Sequence, residues 1–272
     1  MVAPPHPYFD PPRPRAFAHR GWHVAGDADP GDAPPENTLA AFRRAAREGY
    51  AYCETDVHTT ADGVLVVHHD ATLRRMTALA GALRTTTWTD LATAGVGGRV
   101  PMARLEEVLE ALPDMRFNVD LKSPGSVAPM TALLEDDDVA RRVAVASTDD
   151  ARLAAVRRRF GDRVVTGVAT RAALGLRARS VLPPGVRALG VLAPVRGRMA
   201  QLPERVGALP VVDRLLVRAA HDQGVEVHVW TVDDAAAMAR LLDLGVDGLM
   251  TDRPDRLREV LHARGAWHPR GV

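Results

Sequence analysis

AFAHRGWHVAGDADPGDAPPENTLAAFRRAAREG, residues 16–49, holds the reading on which the fold turns. Its first residues, AFAHRG (16–21), read as a strand, and its last, LAAFRRAAREG (39–49), space apolar residues as a helix does, behind Asn37 and Thr38, which can cap it. Between them there is no GxGxxG, the glycine pattern by which a dinucleotide-binding sheet passes from first strand to first helix. Outward from this unit the alternation repeats. YCETDVH (52–58) and VLVVHHD (64–70) read as strands joined through Asp62 and Gly63, a favoured hairpin pair. LEEVLEAL (105–112) reads as a helix, and RFNVDLK (116–122), RRVAVAS (141–147), RVVTGVAT (163–170), ALGVLAPV (188–195), VEVHVWTV (225–232) and DGLMTD (247–252) as strands. Helices are expected from Asp150, Asp213, Asp234 and Asp255.

About eight strand and helix units in sequence predict an α/β protein with a parallel sheet, either doubly wound or closed. The missing glycine fingerprint, and polar residues near strand ends along the whole chain, favour a TIM (β/α)8 barrel. No repeat and no linker divides the chain, so one barrel domain is expected over 1–272. Two stretches fall outside the pattern: residues 22–35, rich in Gly, Asp and Pro, and residues 71–101, an insertion or cap after the second strand. Both are expected over the open end of the barrel.

Composition agrees with this. A chain of 272 residues suits one barrel of about 250. Apolar residues at 46% and charged residues at 25% argue against disorder and against a coiled coil. No apolar run is long enough for a membrane span, and MVAPPHPYFDPPRPRAFAHR puts prolines and arginines where a signal peptide needs an apolar core, so a cytoplasmic protein without stable membrane insertion is expected. Thirty-five basic against thirty-four acidic residues create no field that draws the chain to nucleic acid. Cys53 stands alone, which excludes a disulfide framework and a thiolate metal site within one chain. Arginine fills thirty-four of the thirty-five Lys+Arg positions, isoleucine is absent and asparagine occurs twice, which singles out Lys122, Asn37 and Asn118. A phosphate pocket can accept a compact ammonium and reject a planar guanidinium.

Residues two apart on a strand share a face, so Glu54 and Asp56 in ETD point the same way, as do Asn118, Asp120 and Lys122 in NVDLK. Three carboxylates close together suit a hard divalent cation, Mg2+ or Ca2+, or alternatively form ion pairs with arginines on a solvated rim. His19-Arg20 closes the first strand and His68-His69 the hairpin strand; of the last two, only one can look inward. Phosphate ester cleavage requires a proton taken from the nucleophile, a proton given to the leaving alkoxide, and charge neutralised on the non-bridging oxygens. A histidine pair, the cations Arg20 and Lys122, and a metal supply all of these.

The motifs AHRGW, PENTLAAF, ETDVHTTADGVLVVHHD, FNVDLK, VHVWTVDD and GVDGLMTDRP resemble, in order, those of the glycerophosphodiester phosphodiesterase family, from about Phe17 to Val260. The resemblance implies a TIM barrel with a bound divalent metal that hydrolyses glycerophosphodiesters to sn-glycerol 3-phosphate and an alcohol. It further implies His19 and His69 as the acid/base pair, Arg20 as the phosphate contact, Glu54 and Asp56 as metal ligands, and Lys122 beside the phosphate. Asp120 stands where many members have glutamate and completes the metal triad with a side chain one methylene shorter; Asp233 stands where asparagine usually follows WTV. Trp230, at the end of the seventh strand, either walls the glycerol pocket or packs the barrel. Asp27, Asp29 and Asp32 read as a solvated loop, with a lid as the alternative; His58 reads as a surface residue, Glu36 and Asn37 as structural. A sphingomyelinase D-like or lysophospholipase D-like phosphodiesterase is the rival enzyme, and a glycerophosphate-binding barrel without turnover the rival class. The closing GVDGLMTDRP motif and the lack of an apolar docking run favour soluble substrates.

Overall fold

The computed structural model describes residues 5–25, 33–98, 100–182 and 195–270. Strands are numbered in chain order: β1 (Arg15–Ala18), β2 (Tyr52–Thr59), β3 (Leu65–Val67), β4 (Arg116–Leu121), β5 (Val143–Ala146), β6 (Val165–Thr166), β7 (Met199–Pro203), β8 (Arg205–Val206), β9 (Leu209–Pro210), β10 (Glu226–Trp230) and β11 (Gly248–Thr251). Eight of them pair side by side in the order β6-β5-β4-β2-β1-β11-β10-β7, every pair parallel. The ends of this path meet where Gly167, just past β6, bridges Met199 of β7, supported by Val168 N–H to Met199 O (2.7 Å) and Arg198 N–H to Thr166 O (2.8 Å). That seam needs Gly197, whose φ is +113° and where a Cβ would lie 2.3 Å from the Gly167 oxygen. The protein is a TIM-type α/β barrel.

Period-two alternation sends every second side chain inward. At the N-terminal end the barrel is filled by Phe17, Tyr52, Ala144, Val165, Met199 and Met250, and plugged by Tyr8, whose carbonyl accepts from Tyr52 Oη at 2.6 Å. The outward faces pack against helices in two apolar cores. Leu39–Arg47 starts behind Thr38, whose hydroxyl accepts from Ala41 N–H, so the cap is Thr38 and not Asn37. Asp149, Asp213 and Asp234 cap Asp150–Phe160, Arg214–His221 and Ala235–Leu244 with their carboxylates.

Two details differ from the sequence pattern. The strand expected at 188–195 lies, except for Val195, outside the described residues, and the sixth barrel strand in chain order is Met199–Pro203. MAQLP contains no β-branched residue, so it carries little strand signal; five residue pairs with β10 hold it in place. The turn between β2 and β3 is also longer than two residues, running from Thr60 to Val64, with Asp62 accepting from Thr60 Oγ1 and from Trp88 N–H. Residues 71–101 build a small core of their own from Leu73, Leu83, Leu91 and Val96 with Val66 and Met102. No helix of the described residues is long and apolar enough to cross a membrane.

Candidate active site

β1 ends at Ala18, and the chain then turns sharply, with Arg20 at φ 55° and Gly21 at φ 81°. A Cβ on Gly21 would stand 2.8 Å from that of Ala41, so this reversal requires glycine. The turn leaves His19 at the C-terminal mouth of the barrel and aims the Arg20 main-chain N–H at Glu54 Oε2 (3.2 Å). The Arg20 side chain lies 3.0 Å from Glu36 and 3.2 Å from Asp56. His19 Nδ1 lies 2.7 Å from Asp252 Oδ1; a carboxylate can only accept, so the proton of this contact is on Nδ1 and Nε2 faces Glu54 at 3.7 Å. Burial lowers the basicity of His19, but Glu54 and Asp252 outweigh it and the net shift is upward.

Glu54 and Asp56 stand one above the other on β2, and the register pairs Asp56 with Asp120 on β4. Both β2 carboxylates are almost fully buried. Lys122 Nζ lies between Asp56 (2.9 Å) and Asp120 (2.6 Å), while Asn37 Nδ2 donates to Asp56 at 3.0 Å. Burial would raise the Asp56 carboxyl, yet Lys122 and Arg20 pull it below its ordinary value. Among the described residues Glu54 has no comparable cation. Burial, and then the neighbouring Asp56 charge, push its carboxyl up to about 8. The three carboxylates are hard oxygen donors, and the buried, under-neutralised Glu54 fits a missing positive charge. Among the described residues the three do not form a metal-holding cluster, and Asp56 and Asp120 are bridged by the Lys122 ammonium.

His69 follows β3, and its Nδ1 lies 2.7 Å from Asp70 Oδ1. Asp70 accepts from Arg75 Nε (2.6 Å), and Arg75 Nη2 donates to Glu36 (2.7 Å), which also holds Arg20. An ion-pair chain thus ties His69 to the Arg20 turn and places both histidines on one rim. His68 points the other way: it is buried, with Nε2 3.1 Å from the Thr72 carbonyl. His58 is also buried rather than on the surface, because its ring reaches the His69 carbonyl (3.1 Å) under the rim.

Several members of this cluster are invisible to strand-face reasoning. Asp252 is 233 positions from His19 and meets it because β11 is the neighbour of β1 in the ring. Glu36 and Asn37 are structural in the sense expected, yet they touch Arg20 and Asp56 directly, and Asn37 takes φ 55° to do so. Asp27, Asp29 and Asp32 lie outside the described residues. Trp230, at the C-terminal end of β10, is 41% exposed and borders a cavity together with Asp120, so it is not part of the packed interior.

The profile of the Glycerophosphoryl diester phosphodiesterase family matches residues 19–256. A probable glycerophosphodiester phosphodiesterase 2 of Mycobacterium tuberculosis is 39% identical over 253 residues, covering 93% of this chain and 92% of that protein. Among solved structures, a putative glycerophosphoryl diester phosphodiesterase from Silicibacter pomeroyi superposes with a TM-score of 0.76 at 24% identity, over 97% of this chain and 100% of that one. A phosphodiesterase from Oleispira antarctica, solved with the product sn-glycerol-3-phosphate, superposes with a TM-score of 0.70 at 20% identity, over 92% of this chain and 97% of that one. With its match over most of the sequence, its barrel and its near-full-length relative, this chain belongs to the glycerophosphoryl diester phosphodiesterase family.

Proposed function

We propose that this enzyme, a glycerophosphodiester phosphodiesterase, hydrolyses its substrates to sn-glycerol 3-phosphate and an alcohol with His19 and His69 as its acid/base pair. The observation that carries this reading is that each histidine has its own carboxylate on Nδ1, Asp252 for His19 and Asp70 for His69, at 2.7 Å in both cases. A carboxylate on Nδ1 fixes the tautomer and stabilises the imidazolium, leaving Nε2 to exchange protons with substrate. One imidazole takes the proton of the attacking oxygen as the new P–O bond forms. The other returns a proton to the leaving alcohol oxygen as the old bond breaks. Arg20 and Lys122 add positive charge beside the phosphate, and Trp230 walls the glycerol. A divalent cation, Mg2+ or Ca2+, held by Glu54, Asp56 and Asp120, would neutralise charge on the non-bridging oxygens.

The test is glycerol 3-phosphate release from several glycerophosphodiesters, first in EDTA and then with Mg2+, Ca2+ or Mn2+ restored. Activity should vanish in EDTA and return with metal, and His19→Ala and His69→Ala should each slow the restored enzyme by about 100-fold or more. Full turnover after exhaustive chelation, or wild-type rates in either alanine variant, would overturn the assignment.

A further inference from the structure

Among the described residues six large apolar side chains are exposed, and five of them gather on one sector of the barrel rim. Leu174 (67% exposed) comes from the helix Thr170–Val181, Val206 (63%) and Leu209 (73%) from the β8–β9 hairpin, Leu215 (56%) from the first turn of Arg214–His221, and Trp230 from the end of β10. Val181, the sixth, is the last residue of the first of these helices. Arg177 and Asp213, 2.6 Å apart, tie one helix to the head of the other, and Val211 N–H to Glu204 O (2.9 Å) closes the hairpin between them. Single apolar residues scattered over a surface need no explanation; five on one sector mark a binding surface.

The hairpin stands clear of the barrel, with all of residues 205–210 exposed. Its turn is tight because Gly207 takes φ 57°, and a Cβ there would meet nothing within 4 Å. Val206 and Leu209 pair across the ladder, so two apolar side chains leave the hairpin on the same side. The helical and hairpin members each have an arginine beside them: Arg171 one turn before Leu174, Arg205 next to Val206, Arg214 next to Leu215 and Arg218 one turn after it. Arg205 donates to the Ala208 carbonyl of its own hairpin, and none of the four meets a carboxylate among the described residues. The acids of these segments are already engaged or distant: Glu204 is held by Arg240 at 2.6 Å and Asp213 by Arg177, while Asp222 sits at the far end of its helix.

A chain with a net charge of only +1 thus sets four cations without carboxylate partners among its exposed apolar side chains. A second copy is a poor cover for this face, since a two-fold contact would lay the arginines of one copy against those of the other. A bilayer containing anionic lipids supplies what both kinds of side chain lack, an apolar interior within reach of negative headgroups. We infer that the rim formed by Thr170–Val181, the β8–β9 hairpin and the start of Arg214–His221 docks on an anionic membrane surface. Leu174, Val206, Leu209 and Leu215 enter the headgroup boundary, and the arginines reach the phosphates around them. The contact is peripheral and leaves the catalytic site free of lipid. Because Trp230 borders both this rim and the cavity beside Asp120, docking holds the barrel mouth close to the lipid surface.

The experiment is co-sedimentation of the whole chain with vesicles of phosphatidylcholine, alone or mixed with phosphatidic acid, in EDTA. Phosphatidic acid is a phosphomonoester, so it offers no diester bond to cleave and binding is read apart from turnover. The protein should bind the mixed vesicles about 100-fold or more tightly than the neutral ones, and high salt should release it. Leu174→Glu and Leu209→Glu should each weaken binding by about tenfold or more, and Arg205→Glu and Arg214→Glu by about fivefold or more. All four variants should melt like wild type, because the substituted side chains are exposed. Saturating sn-glycerol 3-phosphate, in EDTA and again with Mg2+ restored, should release nothing. Equal binding to neutral and anionic vesicles, no binding to either, or wild-type binding by the folded variants would overturn the proposal. Release by sn-glycerol 3-phosphate would place the contact in the catalytic site, and a dimer in sedimentation velocity that Leu209→Glu breaks would give the face to a second copy; either result defeats it.

Discussion

Glu226, half-buried, and Glu54, buried, are glutamates on inward faces of the same barrel, one at its N-terminal end and one at its mouth, and they ionise in opposite senses. Glu226 meets Arg15 through two parallel contacts, Nε to Oε2 at 2.7 Å and Nη2 to Oε1 at 2.8 Å, and accepts from His228 Nε2 at 3.0 Å. Burial opposes its charge, but Arg15 and His228 more than offset this and hold it at about 2. Among the described residues Glu54 has only a main-chain N–H at 3.2 Å and an imidazole at 3.7 Å, and its carboxyl rises to about 8. The acid at the closed end is satisfied by the protein itself; the acid at the mouth is left short of positive charge, which the proposed divalent cation would supply.

The largest expected effect tests the mouth. Glu54→Gln keeps the shape and removes the charge, so kcat/KM should fall by about 1,000-fold or more, while thermal stability stays level or rises because a strained buried carboxylate is gone. The opposite pattern, lost stability with retained turnover, would make Glu54 a structural acid and dissolve the contrast.

Glu226→Gln should behave the other way round, with kcat/KM within about threefold of wild type and a stability loss of about 3 kcal/mol, because it strands the Arg15 charge. The pH dependence has a definite sign. Glu226 has its carboxyl at about 2 in the fold against an ordinary 4.5, so its stabilisation is complete above about 4.5 and is lost as pH falls from there toward 2. Urea unfolding at neutral pH and near pH 3 should show the wild type losing more stability on acidification than Glu226→Gln. Equal losses would mean that the Arg15 pair is not coupled to folding.

The contrast also explains which parts of the molecule can be read from sequence. Strand-face periodicity places Glu54 with Asp56 and Asp120 with Lys122, because neighbours on one strand need no knowledge of the ring. The partners that decide how these groups ionise come from elsewhere: Asp252 through β11, Asn37 and Glu36 from the loop before the helix at Leu39, Arg75 from the 71–101 segment. The apolar mouth was hidden for the same reason. Leu174, Val206, Leu209 and Trp230 come from separate segments and form no run. β7 was unreadable because its pairing with β10, rather than its own residue types, makes it a strand.

Lys122 gives a smaller and more particular test. Its ammonium bridges Asp56 and Asp120, and although burial works against its charge, those two carboxylates raise its affinity for the proton. Lys122→Arg keeps the charge but brings a wide planar head with fixed donor directions into a gap sized for a point charge. Kinetics beside a thermal melt should show a folded enzyme with a loss of about tenfold or more, and Lys122→Met little worse. A Lys122→Arg enzyme within about twofold of wild type, roughly 0.4 kcal/mol, would show that any cation serves between these carboxylates.

The smallest effect on turnover is expected at His68, a titratable group at the mouth that behaves like those at the closed end. Its ring is buried against the Thr72 carbonyl at 3.1 Å, anchoring the start of the 71–101 segment, and burial lowers its pKa below 6.5 so that it folds neutral. Alanine there removes a donor and leaves the carbonyl unpaired, a cost of about 1–3 kcal/mol, while kcat/KM should stay within about threefold. For a histidine with a lowered folded pKa, stabilisation is complete above about 6.5 and is lost as pH falls below it, since the unfolded chain takes up the proton first. His68→Gln, which keeps an N–H donor and cannot titrate, should therefore lose less stability than wild type between pH 7 and 5. Turnover damage at His68 equal to that at His69 would mean that His68 does not point away from the mouth, and would dissolve the contrast between the two adjacent imidazoles.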